Sequence, residues 1–254
     1  MKLSVNLNKV ALLRNARGEG RPSVRDFANR AIDYGVSGLT LHPRPDHRHA
    51  TSKDVVTISQ LCKERNVEFN IEGNPFSSPS GDFKGFLNLV EESQPDQITL
   101  VPDSPDQITS DHGWATGNHD DDLKNIIYNL KDLSKHSQIS LFVDSMKGNK
   151  VNYDAIDYAI DVGANLIEIH TGYFSKHIEE GNLSVINEIE SLINKANKSN
   201  LMVNAGHDLN LINLPHLVKI GGINEVSIGH AIVIDALNYG FEATIKSYID
   251  TIKG

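Results

Sequence analysis

The sequence is short of the features that would tie it to an oxidising compartment, a membrane or a nucleic acid. It holds a single cysteine, Cys62, so no intrachain disulfide can form, and a reducing compartment such as the cytoplasm is expected. No segment reaches the roughly 20 apolar residues of a membrane span. The opening MKLSVNLNKVALLRN turns polar by Asn6, which does not fit a secretory leader. Positive charge is scarce: 24 Lys and Arg stand against 33 Asp and Glu, a net −9, which argues against a general nucleic-acid binder. No Pro/Gly/Ser-rich linker divides the chain, so residues 1–254 are expected to form one domain. Arginine runs out early, since all eight lie between Arg14 and Arg65.

What is present is a regular alternation. Short β-branched runs at Leu3–Asn6, Leu39–His42, Val67–Glu72, Gln97–Val101, Ile139–Val143, Leu166–His170, Leu201–Asn204 and Glu225–Ile228 read as strands. Amphipathic stripes between them read as helices, with start signals at Ser23–Asp26 and Thr51–Asp54. Gly35 and Gly163 stand where a helix C-terminus favours positive φ. The seventh helix is the faintest, with only Leu214–Ile220 to form it. Eight strands separated by helices require parallel pairing through crossovers. The class is α/β, and length and count fit a single (β/α)8 barrel of the TIM type. A doubly wound open sheet lacks its G-x-G-x-x-G turn here. The segments AIDYGVSGLTLH (31–42) and AIDVGANLIEIH (159–170) repeat one helix–glycine–strand–histidine order half a chain apart, as in a barrel of two similar halves.

In such a barrel chemistry gathers at the C-terminal strand ends. Nearly every strand here ends polar: Asn6 leads into Asn8, Lys9 and an NARGEG loop, and His42 into LHPRPDHRH with Arg44 and His49. Glu72, Asp144, Glu168, His170, Asn204 and His207 end the others. The last two loops, VNAGHDLN and VSIGHAI, place small residues where a backbone can cradle phosphate, with Gly229 and His230 at a helix start. Long connections at 103–120 (Thr109, Trp114) and 171–184 (Tyr173, Phe174) are expected to lie over the mouth as binding loops. No metal is expected: arginines interleave the histidines of the 42–49 loop, and zinc-type spacings are missing. No lysine falls inside the expected strands to form a Schiff base. What remains suits proton transfer on a phosphorylated carbonyl compound.

The ordered set NLNKVALLRNARG, LTLHPRPDHRH, FNIE, QITLVPD, LIEIHTG, VNAGHDLN and EVSIGHAI resembles the pyridoxine 5′-phosphate synthase family over positions 6 to 232. The resemblance implies a (β/α)8 barrel with extra helices, commonly a homo-octamer. It implies condensation of 3-amino-2-oxopropyl phosphate with 1-deoxy-D-xylulose 5-phosphate to pyridoxine 5′-phosphate, phosphate and water, without cofactor. On the matching positions His42 and Glu72 are proton acceptors, His207 is the proton donor, and Glu168 supports the transition state. Asn6, Arg17, Gly229 and His230 would hold the aminoketone phosphate; Arg44, His49 and Thr109 would hold the deoxyxylulose phosphate. The chain departs from many members at Asn8-Lys9, where they carry Asp-His, and at Asp208, where they carry glycine; all three are expected in the substrate pocket. A phosphosugar isomerase or aldolase on the same barrel, and a catalytically silent phosphometabolite-binding relative, are the competing readings.

Overall fold

The computed structural model describes residues 1–104, 107–117 and 120–254. β1 (Lys2–Asn6) leads into α1 (Asn8–Arg17), α2 (Val24–Asp33), β2 (Gly38–Leu41) and α3 (Ser52–Arg65). β3 (Glu68–Gly73), α4 (Phe86–Ser93), β4 (Gln97–Leu100) and α5 (Asp120–Leu133) follow. After β5 (Gln138–Asp144) comes a small antiparallel hairpin, β6 (Met146–Lys147) and β7 (Lys150–Val151), then α6 (Tyr153–Val162) and β8 (Leu166–His170). The chain closes with α7 (Gly172–Glu179), α8 (Val185–Lys198), β9 (Met202–Gly206), α9 (Leu214–Ile220), β10 (Glu225–Ile228), α10 (His230–Tyr239) and α11 (Phe241–Lys253).

Eight of these strands pair in parallel, and β1 pairs with β10 to close the barrel. This is the expected (β/α)8 architecture, and eleven helices among the described residues leave extra ones beyond the eight of a minimal barrel. Each expected strand forms, with ends moved by a residue or two. The β6–β7 hairpin was not anticipated, because its strands are too short to show alternation. The helix starts form as read: Ser23 Oγ accepts from the Asp26 amide, and Thr51 and Asp54 complete a reciprocal capping box. None of the described helices is long and apolar enough to cross a membrane.

The alternation along the strands sorts chemistry to two sides. Leu39, Leu41, Ile98, Leu100, Ile167 and Ile169 belong to the apolar cluster shared with the helices. Their alternates are polar and also buried, among them Thr40, Asn70, Gln97, Thr99, Glu168 and Asn204. Barrel lumens are commonly filled by bulky apolar side chains; this one is filled by a hydrogen-bonded polar network. Burying such groups is costly unless they are paired. Here Gln97 Nε2 donates to Thr99 Oγ1 (3.1 Å), Thr99 Oγ1 to Asn70 Oδ1 (3.1 Å), and Asn204 Nδ2 to Gln97 Oε1 (2.9 Å).

Three expectations need correction. The 171–184 connection is not a loop: α7 occupies Gly172–Glu179, with Phe174 fully buried in the core and Tyr173 stacked on His177 at 4.0 Å. Helical spacing sends Phe174 and Ile178 inward together. The start of NARGEG is not a loop either, since α1 continues to Arg17 and ends at Gly18 in the left-handed conformation. Finally, a lysine does sit in a barrel strand: Lys2 opens β1, but at the end away from the mouth, paired with Glu68 at 2.9 Å. Residues 105, 106, 118 and 119 of the 103–120 connection lie outside the described residues.

Candidate active site

The C-terminal strand ends enclose a cavity of about 760 Å3. Asn6, Asn8, Lys9, His42, Arg44 and His49 line it from the β1 and β2 sides. Glu72, Thr109, Glu168, His207 and Asp208 add to it, and Gly229 and His230 complete the ring. Thus thirteen of the fourteen site residues named from sequence meet in one space. The exception is Arg17. It is 79% exposed and paired with Glu19, because α1 carries it along the helix away from the mouth.

Glu72 ends β3 in a polar cradle: Asn6 Nδ2 donates to its Oε2 at 3.3 Å and Ser227 Oγ to its Oε1 at 3.5 Å. His42 Nδ1 lies 3.7 Å from the same Oε2, and its Nε2 lies 3.1 Å from Asp103 Oδ2. Burial disfavours the His42 imidazolium, but the Asp103 and Glu72 carboxylates outweigh it and raise the pKa. Asp103 was not singled out from sequence; it follows β4 in VPD, a loop position that no periodicity marks. It also takes Arg44 Nη2 at 2.5 Å and the Ser110 hydroxyl at 3.1 Å. Arg44 Nε is buried with no hydrogen-bond partner among the described residues, a donor suited to an anionic ligand.

The crowded 42–49 loop therefore divides its residues. His42, Arg44 and His49 face the cavity, whereas Arg48 pairs with Asp46 and the Gln107 carbonyl. Burial, helped by Lys9, His42 and the arginines, pushes His49 down to about 3, so its imidazole is neutral. Asn8 braces the region: its Oδ1 accepts from the His42 amide at 3.0 Å.

Glu168 sits deeper, with its Oε2 3.3 Å from Thr99 Oγ1. Burial, with Glu72 and Glu225 nearby, raises its pKa well above the ordinary range and favours the neutral acid. Opposite, His207 Nε2 meets Thr109 Oγ1 at 2.9 Å, and its Nδ1 lies 3.0 Å from Asp208 Oδ2. That His207 contact holds the Asp208 pKa low. Trp114 proves an anchor rather than a cover: its Nε1 donates to the Leu100 carbonyl at 2.9 Å and its amide to the Phe142 carbonyl at 2.8 Å.

One side of the cavity is built by α10. Gly229 caps this helix so close to β1 that a Cβ there would stand 2.7 Å from the Asn6 carbonyl oxygen. Lys9 lines the same space and has no salt-bridge partner among the described residues. Burial, then Lys9, lowers the His230 pKa. A helix N-terminus, a lysine and neutral imidazoles able to donate N–H suit a phosphate ester.

Residues 3–254 match the family model described as "Pyridoxal phosphate biosynthesis protein PdxJ". The chain is 42% identical over 254 residues to the pyridoxine 5′-phosphate synthase of Xanthomonas axonopodis pv. citri, covering 99% of this chain and 96% of the relative. It is 42% identical over 253 residues to that of Xylella fastidiosa strain 9a5c, covering 99% and 94%. Among solved structures, a mutant tryptophan synthase alpha-subunit from Pyrococcus furiosus superposes with a TM-score of 0.63 at 16% identity, covering 100% of this chain and 98% of that one. Thiamine phosphate pyrophosphorylase from the same organism gives 0.61 at 13%, covering 99% and 95%. These two likenesses bear on fold alone. With a match across nearly its whole length and full-length relatives at 42% identity, the chain belongs to the PdxJ family of pyridoxal phosphate biosynthesis proteins.

Proposed function

We propose that this protein is a pyridoxine 5′-phosphate synthase, condensing 3-amino-2-oxopropyl phosphate with 1-deoxy-D-xylulose 5-phosphate. The observation that carries the reading is the convergence of His42, Glu72, Glu168 and His207 on one cavity that Lys9, Arg44, His49 and His230 also line.

Glu72 and His42 act as proton acceptors. The amine of one substrate attacks the ketone of the other, and an imine forms with loss of water, so the protein supplies no lysine. Glu168, kept neutral by its surroundings, donates a hydrogen bond to oxygen that becomes negative during the reaction. His207 donates a proton to departing oxygen. Asn6, Lys9, Gly229 and His230 hold one phosphate; Arg44, His49 and Thr109 hold the other. Fixing both reactants in one pocket replaces a bimolecular encounter with a unimolecular step. Residues 1–254 are read as one cytoplasmic domain that assembles into a homo-oligomer, the octamer of the resemblance; exposed Leu237 and Tyr239 on α10 support a subunit contact.

The test supplies both substrates to the purified protein and follows phosphate release and the mass of the pyridoxine product. Product formation only when both are present supports the reading. Turnover of one substrate alone selects the isomerase or aldolase reading, and tight binding without product selects the silent relative.

A further inference from the structure

We propose that His170, His207 and Asp208 form a site for a divalent transition-metal ion of the zinc class, at the mouth beside the proton-transfer groups. One ring nitrogen from each histidine and one Asp208 oxygen lie within 4.8 Å of one another. Metal–ligand bonds of about 2.0–2.1 Å place tetrahedral neighbours roughly 3.4 Å apart, so side-chain shifts of about an ångström complete the set. The expectation of no metal was argued on the 42–49 loop. This cluster comes instead from the ends of β8 and β9, where no ligand spacing shows in the sequence.

Three features point to a ligand here. His170 Nδ1 lies 3.1 Å from Asp144 Oδ1, the carboxylate–imidazole arrangement that fixes the tautomer and leaves Nε2 to a metal. The ring is wedged between Phe142 at 5.4 Å and His207 at 4.9 Å, so its direction is set. His207 Nδ1 is buried 3.0 Å from Asp208 Oδ2, while Nε2 meets Thr109 Oγ1. Nδ1 and Asp208 Oδ2 thus lie side by side, a nitrogen and an oxygen that one cation can share.

Gly172 keeps the space open: a Cβ there would stand 2.9 Å from His170 Nε2 and 3.2 Å from Asp208 Oδ2. Two imidazoles and one carboxylate suit Zn2+, Co2+ or Ni2+ better than Mg2+ or Ca2+, and leave a coordination position open to water or phosphate. Lys9 lines the same cavity with a charge of the metal's own sign, which works against binding.

A consequence rests on the function proposed above. A metal on Nδ1 occupies the lone pair that His207 must protonate to become an imidazolium acid, so zinc inhibits the enzyme. Metal uptake itself does not depend on that reading.

The experiment titrates Co2+ into the full chain after chelator treatment and desalting, and reads visible ligand-field bands and equilibrium dialysis. About one equivalent per chain is expected, with a loss of tenfold or more in Asp208→Ala and His170→Ala, and about tenfold in Asp144→Asn. Circular dichroism and thermal melting show whether each variant is folded. Uptake that is absent in the wild type, or equal in wild type and folded variants, overturns the site. In parallel, Zn2+ is titrated into the two-substrate assay, where inhibition that Asp208→Ala relieves at least tenfold supports the consequence. Co2+ uptake without Zn2+ inhibition upholds the metal site and shows that His207 does not act as an imidazolium acid.

Discussion

His42 Nε2 and Asp103 Oδ2 meet 3.1 Å apart in the buried mouth, tying the histidine-rich loop after β2 to the connection after β4. The contact decides the protonation of His42. Burial alone would keep the ring neutral; Asp103, then Glu72, raise its pKa instead. A proton acceptor must be neutral, so kcat/KM should fall as pH drops through that raised value. Asp103→Asn removes the first carboxylate, and the acidic limb of the kcat/KM profile should move to lower pH. Profiles from pH 5 to 9 for the two proteins check this. A limb that stays in place assigns it to another group.

Glu72→Gln keeps the size of the side chain and an oxygen for one of its two donors, Asn6 or Ser227, but cannot take up a proton. The expected outcome is a fall in kcat of roughly 10²–10⁴, with substrate binding largely retained. Steady-state kinetics and direct binding of each phosphorylated substrate separate the two. Near-normal kcat would show that Glu72 is not the base.

Gly229→Ala tests the close approach of α10 to β1. Its Cβ would lie 2.7 Å from the Asn6 carbonyl oxygen and 3.0 Å from Asn6 Cβ, a collision with backbone that no rotamer relieves. The helix start must retreat, at a cost of about 1–3 kcal/mol, taking its N–H groups away from the phosphate. KM for the aminoketone phosphate should rise several-fold and the melting temperature should fall. An unchanged KM would place that phosphate elsewhere.

Much of this was legible in the sequence because two physical rules act locally. Strand alternation sets apolar residues such as Ile167 and Ile169 against helices and leaves Glu168 facing the lumen, and the barrel rule gathers strand-end groups into one mouth. Boundaries moved where tertiary pairing extended a strand, as at β9, whose Gly206 pairs with His170. Asp103 escaped notice because a loop aspartate carries no periodic signal and its partners His42 and Arg44 come from another loop. Arg17 was misplaced because the helix-forming run KVALLRNAR continues α1 past the expected loop start. The His170–His207–Asp208 cluster depends on side chains meeting across strand ends, which spacing along the chain does not show.

The barrel's polar lumen should also be visible in stability. Glu225 is buried at the start of β10 with Oε2 unpartnered among the described residues. Burial, and then Glu68, push its pKa up to about 8 from 4.5, against Lys2, which lowers it, while Glu72 adds to the rise. A carboxyl whose folded pKa lies above its unfolded value stabilises the fold fully only below the unfolded value. Between about pH 4.5 and 8 the unfolded chain loses the proton while the folded chain keeps it, so stability declines as pH rises. Glu225→Gln removes that decline. The two proteins should melt at similar temperatures near pH 4. The variant should gain on the order of 3 kcal/mol relative to wild type by pH 7, or roughly 6–12 °C. Thermal melts across this range read the difference directly, and a gap independent of pH would mean that Glu225 titrates alike in the folded and unfolded chains.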